Sequence, residues 1–230
     1  MILNTADNVM YGDIEVSKVY CGDVVVWQRG GGRVLPEGYT ASDGYYINQS
    51  PFNTNFRPSS GVLKVEAGLT IVDSGAAMML VGGFNSDPYG LRDSGTVEIG
   101  YYSNPSDFKF YVYTMKNVGW YVNDVCWSNS HAGSSFDISA VASSSKLSVT
   151  VNGDYTETIA VNQAPVLERD IWIGCNGNPV YGGTMDYMTG TINYLKLYDN
   201  TTLARDFVPA VRDSDGQAGL YDFVTEEFYY

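Results

Sequence analysis

The run Lys146 to Val161, KLSVTVNGDYTETIAV, constrains the fold more than any other stretch. Apolar and polar residues alternate on both sides of Asn152-Gly153, and a period of two belongs to a strand with one buried face. Asn-Gly accepts positive φ at little cost, so the two arms are expected to fold back on each other as a tight hairpin. The same alternation recurs in FKFYVYTM, where Phe108, Phe110 and Val112 interleave with Lys109, Tyr111 and Tyr113. A late strand is read in TGTINYLKLYD, carrying Ile192, Tyr194 and the Leu195/Leu197 pair. No stretch of useful length shows a helical period, while Gly, Asn, Asp and Pro punctuate the strands throughout. Together these features predict an all-β chain, an antiparallel β-sandwich with no substantial helix.

The head of the chain is set apart. Tyr11-Gly12-Asp13-Ile14-Glu15-Val16 and Cys21-Gly22-Asp23-Val24-Val25-Val26 align with a shift of ten residues, each a Gly-Asp turn followed by a β-rich run. Val16, Val19, Tyr20, Val24, Val26 and Trp27 give this segment an apolar surface. Two short strands bury too little to be stable alone. Their partner is the main domain, other copies of the chain, or a larger assembly. Gly30, Gly31 and Gly32 follow at once and form a flexible hinge, which disfavours close packing on the main domain. The expected organisation is an anchor or oligomerisation segment at 1–29, a hinge at 30–33 and one sandwich domain at 34–230.

Composition narrows the partners. Hydrophobic residues make up 44% of the 230 and charged residues 17%, a globular balance with enough chain for a sizeable core. The net charge is -13, without a basic cluster, so counterion release from a nucleic acid is not expected to drive binding. The beginning, MILNTADNVMYGDIEV, lacks a basic start followed by an apolar run, and no stretch approaches a membrane span of about 20 apolar residues. Cys21, Cys126 and Cys175 are odd in number and show no C-x-x-C spacing, as expected of reduced thiols in a protein made in a cytoplasm.

Two resemblances follow from quoted stretches. Lys18 to Trp27, within KVYCGDVVVWQ, resembles a short segment, K-V-Y-x-G-D-x-x-V-W, at the head of many bacteriophage virion proteins, where it precedes a variable outer domain. A plain hairpin within a single domain remains the alternative. LSVTVNG, DIWIGCNG and TGTINYLKLYD are similar in order and spacing to the laminin-G-like, concanavalin-type jelly rolls. LPEGYTASDGYYINQSPFNTNFRP resembles the lead-in of jelly rolls common on phage particles and Gram-positive surface proteins, and LARDFVPAVRDSDGQAGLYDFVTEEFYY resembles their closing segment. This second resemblance runs from Leu35 to Tyr230. It departs at DGYYINQSPFNTNF, which leaves the pairing of the first strand open.

Catalytic patterns are sparse on this frame. Glycosidases of concanavalin-type fold place their carboxylates on one strand as E-x-D-x-E, and the chain has no such triplet. The closest acidic spacing is Asp213 and Asp215, followed by Gln217, in a glycine-bearing turn. There is one histidine, His131, read as an exposed loop residue, with no G-x-S-x-G elbow and no phosphate loop. A carboxylate pair assembled across strands is the remaining catalytic route. DSDG at 213–216 matches the start of a calcium loop, but the position of its bidentate Glu is Val224, and Asp with Gly equally marks a β-turn. No metal ligand set is assigned and no cofactor is expected, although the resemblance leaves room for calcium at the sandwich rim. Dispersed cysteines and one histidine do not make a zinc site.

Binding fits the residue types better. Sugar recognition combines aromatic faces with amides and carboxylates. That mixture occurs in Asn117, Trp120, Tyr121, Asn123, Asp124 and Trp127, and again in Tyr181, Asp186 and Tyr187. Core positions for Trp120 and Trp127 are the competing reading. The chain is thus expected to be a non-enzymatic virion protein: a head fibre, capsid decoration or tail-fibre component, made in the host cytoplasm and displayed on the virion surface. Its expected partners are other virion proteins through the anchor, its own copies in a homotrimer, and host-surface polysaccharide, with no nucleic acid and no membrane insertion. The alternatives are a lectin acting alone or encoded by a prophage, and a glycoside hydrolase.

Overall fold

The computed structural model describes residues 34–72, 77–83, 97–104, 107–114, 135–143, 145–153, 155–160, 170–175 and 187–230, together with four short strands nearer the N-terminus. Those four form two separate antiparallel hairpins. β1 (Val9–Tyr11) pairs with β2 (Ile14–Val16), and β3 (Lys18–Cys21) with β4 (Val24–Gln28). Gly12-Asp13 and Gly22-Asp23 lie between the paired ends Tyr11/Ile14 and Cys21/Val24, so each Gly-Asp of the doubled motif joins the strands of its own hairpin. Val16, Val19, Tyr20, Val24, Val26 and Trp27 all occupy strand positions.

The rest of the described chain builds two antiparallel sheets. Five strands in the order β11 (Asp107–Thr114), β10 (Val97–Asn104), β9 (Ala77–Gly82), β15 (Trp172–Ile173) and β7 (Phe52–Asn53) form the smaller sheet. The larger has ten, eight of them in the order β14 (Tyr155–Ala160), β13 (Lys146–Val151), β12 (Ser135–Ala142), β8 (Leu63–Ile71), β16 (Thr189–Asp199), β17 (Thr202–Arg212), β18 (Gln217–Asp222) and β19 (Glu227–Tyr229). Two strands lie off this path: β5 (Tyr39–Ala41) pairs with β17, and β6 (Tyr45–Asn48) with β16. The lead-in stretch is thereby divided, β5 and β6 joining the large sheet while β7 pairs with β15 in the small one. No helix occurs among the described residues. The architecture is the antiparallel β-sandwich that the alternation predicts.

The alternation is what makes the core. Leu63, Val65, Ala67, Leu69 and Ile71 are buried on one side of β8, and Ile138, Ala140, Leu147 and Val149 continue that layer on β12 and β13. Leu80, Val97, Ile99, Phe110 and Val112 face them from the small sheet. Burial of each such large side chain contributes roughly 1.5–3 kcal/mol. Phe110 and Phe136 meet edge to face across the sheets, with ring centres 5.4 Å apart. At the hairpin between β13 and β14, Asn152 and Gly153 both have positive φ, 51° and 72°. The paired ends are Val151 and Tyr155, so three residues connect the arms.

Arg205 ties the sheets together near the chain's end. From β17 its Nε and Nη2 donate to the carbonyl of Thr54, at 3.1 and 2.8 Å, and Thr54 in turn donates through both N and Oγ1 to the carbonyl of Ile171, next to β15. The Arg205 Nε also lies 3.4 Å from Oδ2 of Asp222, a carboxylate with no exposure. Asp222 accepts hydrogen bonds from Asp206 N, Val224 N and the hydroxyl of Thr225. An uncompensated buried charge is costly, so Asp222→Ala is predicted to destabilise the fold by about 3 kcal/mol or more. In a chain of this size that lowers the thermal midpoint by roughly 6–12 °C, and a shift below about 2 °C in calorimetry would contradict the role given to this pair.

Candidate functional site

On β8, β12, β13 and β16 most side chains of the large sheet that point away from the main core are polar, and strand register lines them up in rows. In one row Tyr46 on β6 lies opposite Thr191, Thr191 opposite Thr70, and Thr70 opposite Ser135. In the next, Tyr194 lies opposite Gly68 and Gly68 opposite Asp137. A third runs Lys196, Glu66, Ser139, Thr150, Thr156. Tyr198 faces Lys64 in the fourth. Cross-strand neighbours of this kind are close enough to bond. Asn193 donates to Thr70 Oγ1 at 3.3 Å, Thr70 and Ser135 share a hydrogen bond of 3.0 Å, and Thr150 and Thr156 one of 2.9 Å.

A β-bulge shapes the middle of this face. The register between β16 and β8 shifts between Ile192 and Tyr194, leaving Asn193 as the additional residue. Bulges re-aim side chains, and here Ile192 and Leu195 enter the core while Tyr194 is turned outward. Its ring lies over Gly68, where a Cβ would stand 2.6 and 2.7 Å from two ring carbons. Glycine inside a strand thus marks a close approach. The Tyr194 hydroxyl, set down in this way, donates to Asp137 Oδ1 at 2.9 Å. Tyr194, Asp137, Glu66, Ser139, Thr150 and the Gly153 turn line an open depression of about 170 Å³.

The two carboxylates of the depression differ in their surroundings. Asp137 is exposed, and no cation pairs with it among the described residues. Glu66 is held by Lys64 Nζ, 2.6 Å from Oε1, and by the Tyr198 hydroxyl, 2.8 Å from Oε2. Lys64 Nζ also lies 4.8 Å from the centre of the Tyr198 ring. Partial burial pushes the Glu66 carboxyl upward, but the hydrogen bonds from Lys64 and Tyr198 outweigh it and the net direction is down. Burial and the Glu66 carboxylate push Tyr198 the other way, well above the ordinary phenol range. Glu66 is therefore a settled carboxylate, the opposite of the raised carboxyl that a general acid requires.

The sequence-derived candidates fall differently. Asn117, Trp120, Tyr121, Asn123, Asp124, Trp127, Tyr181 and Asp186 lie outside the described residues, as do His131 and Cys126. Tyr187 is half-buried and forms an isolated bridge with Cys175, which carries a buried side chain. Asp213 and Asp215 belong to the β17–β18 turn: Asp213 accepts from Thr40, and Asp215 pairs with Arg212 at 2.6 Å. With Gly216 at φ 71°, DSDG is a turn stabilised from both sides. Among the described residues no group of three or more His, Cys, Asp or Glu is placed to hold a metal ion. Glu66, Asp137 and Tyr194 escaped sequence reasoning, although Lys64, Glu66 and Thr70 alternating with Leu63, Val65 and Ile71 carried the signal.

Because the folded-state value of Glu66 is depressed, the stability it contributes is present above the ordinary glutamate value and is lost as pH falls through the folded one. Tyr198→Phe removes one of the two donors that hold it down. The Glu66 midpoint, followed by NMR of its carboxyl carbon, is predicted to rise in this variant, and an unmoved midpoint would contradict the assignment.

No protein-family model matches the chain, and no curated protein matches it in sequence. Solved structures share its fold. Full-length tailspike protein 2 of Escherichia coli O157:H7 bacteriophage CAB120 superposes with a TM-score of 0.54 at 10% identity, over 80% of this chain and 31% of that one. The enzymatically active domain of bacteriophage CBA120 tailspike protein 2 gives 0.50 at 8% identity, over 72% of this chain and 29% of that one. The CBM40 module of the Ruminococcus gnavus IT-sialidase, bound to α2,3 sialyllactose, gives 0.50 at 11% identity, over 70% of this chain and 91% of that one. The chain therefore corresponds to less than a third of the tailspike chains, and to nearly the full length of the sugar-binding module.

Proposed function

We propose that this chain is a non-enzymatic structural protein of a bacteriophage particle, a head fibre, capsid decoration or tail-fibre component, whose sandwich faces outward and binds glycans of the host surface. The observation that carries the proposal is the outward face of the large sheet: ordered rows of hydroxyls, carboxylates and tyrosines set on a rigid scaffold. Aromatic rings for C–H faces and fixed polar groups for hydroxyls are what sugar recognition uses. The shared fold with a tailspike and with a sugar-binding module supports the same direction.

The N-terminal hairpins supply the attachment. Each is a two-stranded sheet, and a two-stranded sheet alone is marginally stable in water. Other virion proteins, or the same segment from two symmetry mates in a homotrimer, provide a cover. Many copies on one particle convert weak single-site binding into firm adsorption. A net charge of -13 suits a displayed, soluble surface and disfavours nucleic acid as a partner. No helix among the described residues is long and apolar enough to cross a membrane. A lectin acting apart from any particle is the second reading, favoured by the near-complete coverage of the CBM40 module.

A printed array of neutral, amino-substituted and acidic oligosaccharides, probed with the full chain, tests the binding function. Selective retention on at least one sugar class is predicted. Uniform absence of signal, with the chain folded and multivalently displayed, would overturn it.

A further inference from the structure

We infer that the depression between β12, β13 and β16 is itself a saccharide site, and that it selects sugars without acidic groups. The inference rests on the glycan-binding reading above and gives it a place and a substrate class.

The site is built rather than incidental. Gly68 leaves the space in which the Tyr194 ring lies, and the bulge at Asn193 turns that ring outward. The ring is consequently fixed from below by backbone and at its tip by Asp137. An aromatic held in this way is a platform for the C–H face of a pyranose, at little cost in side-chain entropy. Around it stand acceptors. Asp137 spends Oδ1 on Tyr194, while Oδ2 takes no hydrogen bond among the described residues and opens to solvent. Ser139 and Thr150, opposite each other in register, add hydroxyls that donate or accept. A ligand that fits offers hydroxyl or amine donors to the carboxylates and an apolar face to the ring.

Charge decides the class. Lys64 contacts Glu66 directly, and Lys196 acts on it electrostatically from the facing position in the register. The Asp137 end has no such neutralisation among the described residues, and the chain as a whole carries -13. A carboxylate or sulfate on a sugar would meet Asp137, an exposed carboxylate with no cation beside it among the described residues, and like charges about 4 Å apart repel by about 1 kcal/mol in water. Neutral and amino sugars meet complementary acceptors instead.

The closing experiment uses the same array, with the full chain compared to Asp137→Ala and Thr150→Trp. The first removes the acceptor from an exposed position, and the second fills the depression from a half-buried one. Thermal midpoints measured in parallel show that both variants are folded. The expected result is binding to neutral or amino sugars that falls at least about tenfold in each variant, the scale of a lost hydrogen bond to a charged group. Preference for sialylated or uronate-bearing sugars overturns the inference. So does binding to neutral sugars that both variants retain, an outcome that leaves glycan binding standing and moves the site elsewhere. Loss of all binding by the unaltered chain overturns the site and the function together.

Discussion

The guanidinium of Arg205 crosses from the large sheet to the carbonyl of Thr54, which is itself bonded to Ile171 beside the small one. Its other partner, Asp222, is fully buried and gathers three further donors from the closing strands. A buried ion pair of this kind contributes little net energy when it forms and a large penalty when half of it is removed. Its value here is positional. It fixes the last hairpin against the segment that follows β7, so the two sheets face each other in one alignment. Phe52, Phe207 and Tyr229 then pack around the joint, with ring centres 5.2 to 6.0 Å apart. Apolar burial is non-directional, so a polar tie is needed to select this alignment.

With one face of β8, β12 and β16 committed to the main core, the other face is available for chemistry. On β8 the consequence is plain: Lys64, Glu66 and Thr70 are carried outward at the positions between Leu63, Val65, Leu69 and Ile71. A functional surface of this sort is as rigid as the core that supports it. The bulge at Asn193 interrupts the pairing of β16 with β8, and it sets the Tyr194 ring over Gly68. Tyr198 and Lys64 hold Glu66 ionised, so the face presents fixed acceptors rather than a proton donor.

Much of the sandwich was legible in the sequence because its signals are local. Asn152-Gly153 demanded positive φ, and both residues have it. Phe110, Val112, Leu195 and Leu197 are buried where the period of two placed them. DSDG is a turn because Asp and Gly favour one, and Arg212 and Thr40 secure it. The pairing of the lead-in was not legible: β5, β6 and β7 join partners more than a hundred residues away, which no local pattern encodes. The polar outward face of the large sheet was missed for a related reason. Asp137 and Tyr194 are 57 positions apart, and only the register of three strands brings them together. Aromatic density drew the sequence reading to Trp120, Trp127 and their neighbours, which lie outside the described residues.

The doubled motif at the head of the chain is the part that we propose an assembly completes. Two hairpins present short strands, and a two-stranded sheet alone is marginal in water; three glycines follow in the sequence before the sandwich. Attachment to a particle at one end and sugar recognition at the other form the central claim. It is tested most directly by electron microscopy of purified phage particles labelled with an antibody against residues 33 to 230. Label at a fixed position on heads or tails is the predicted result. Unlabelled particles alongside abundant free chain would contradict it and leave a lectin that acts alone.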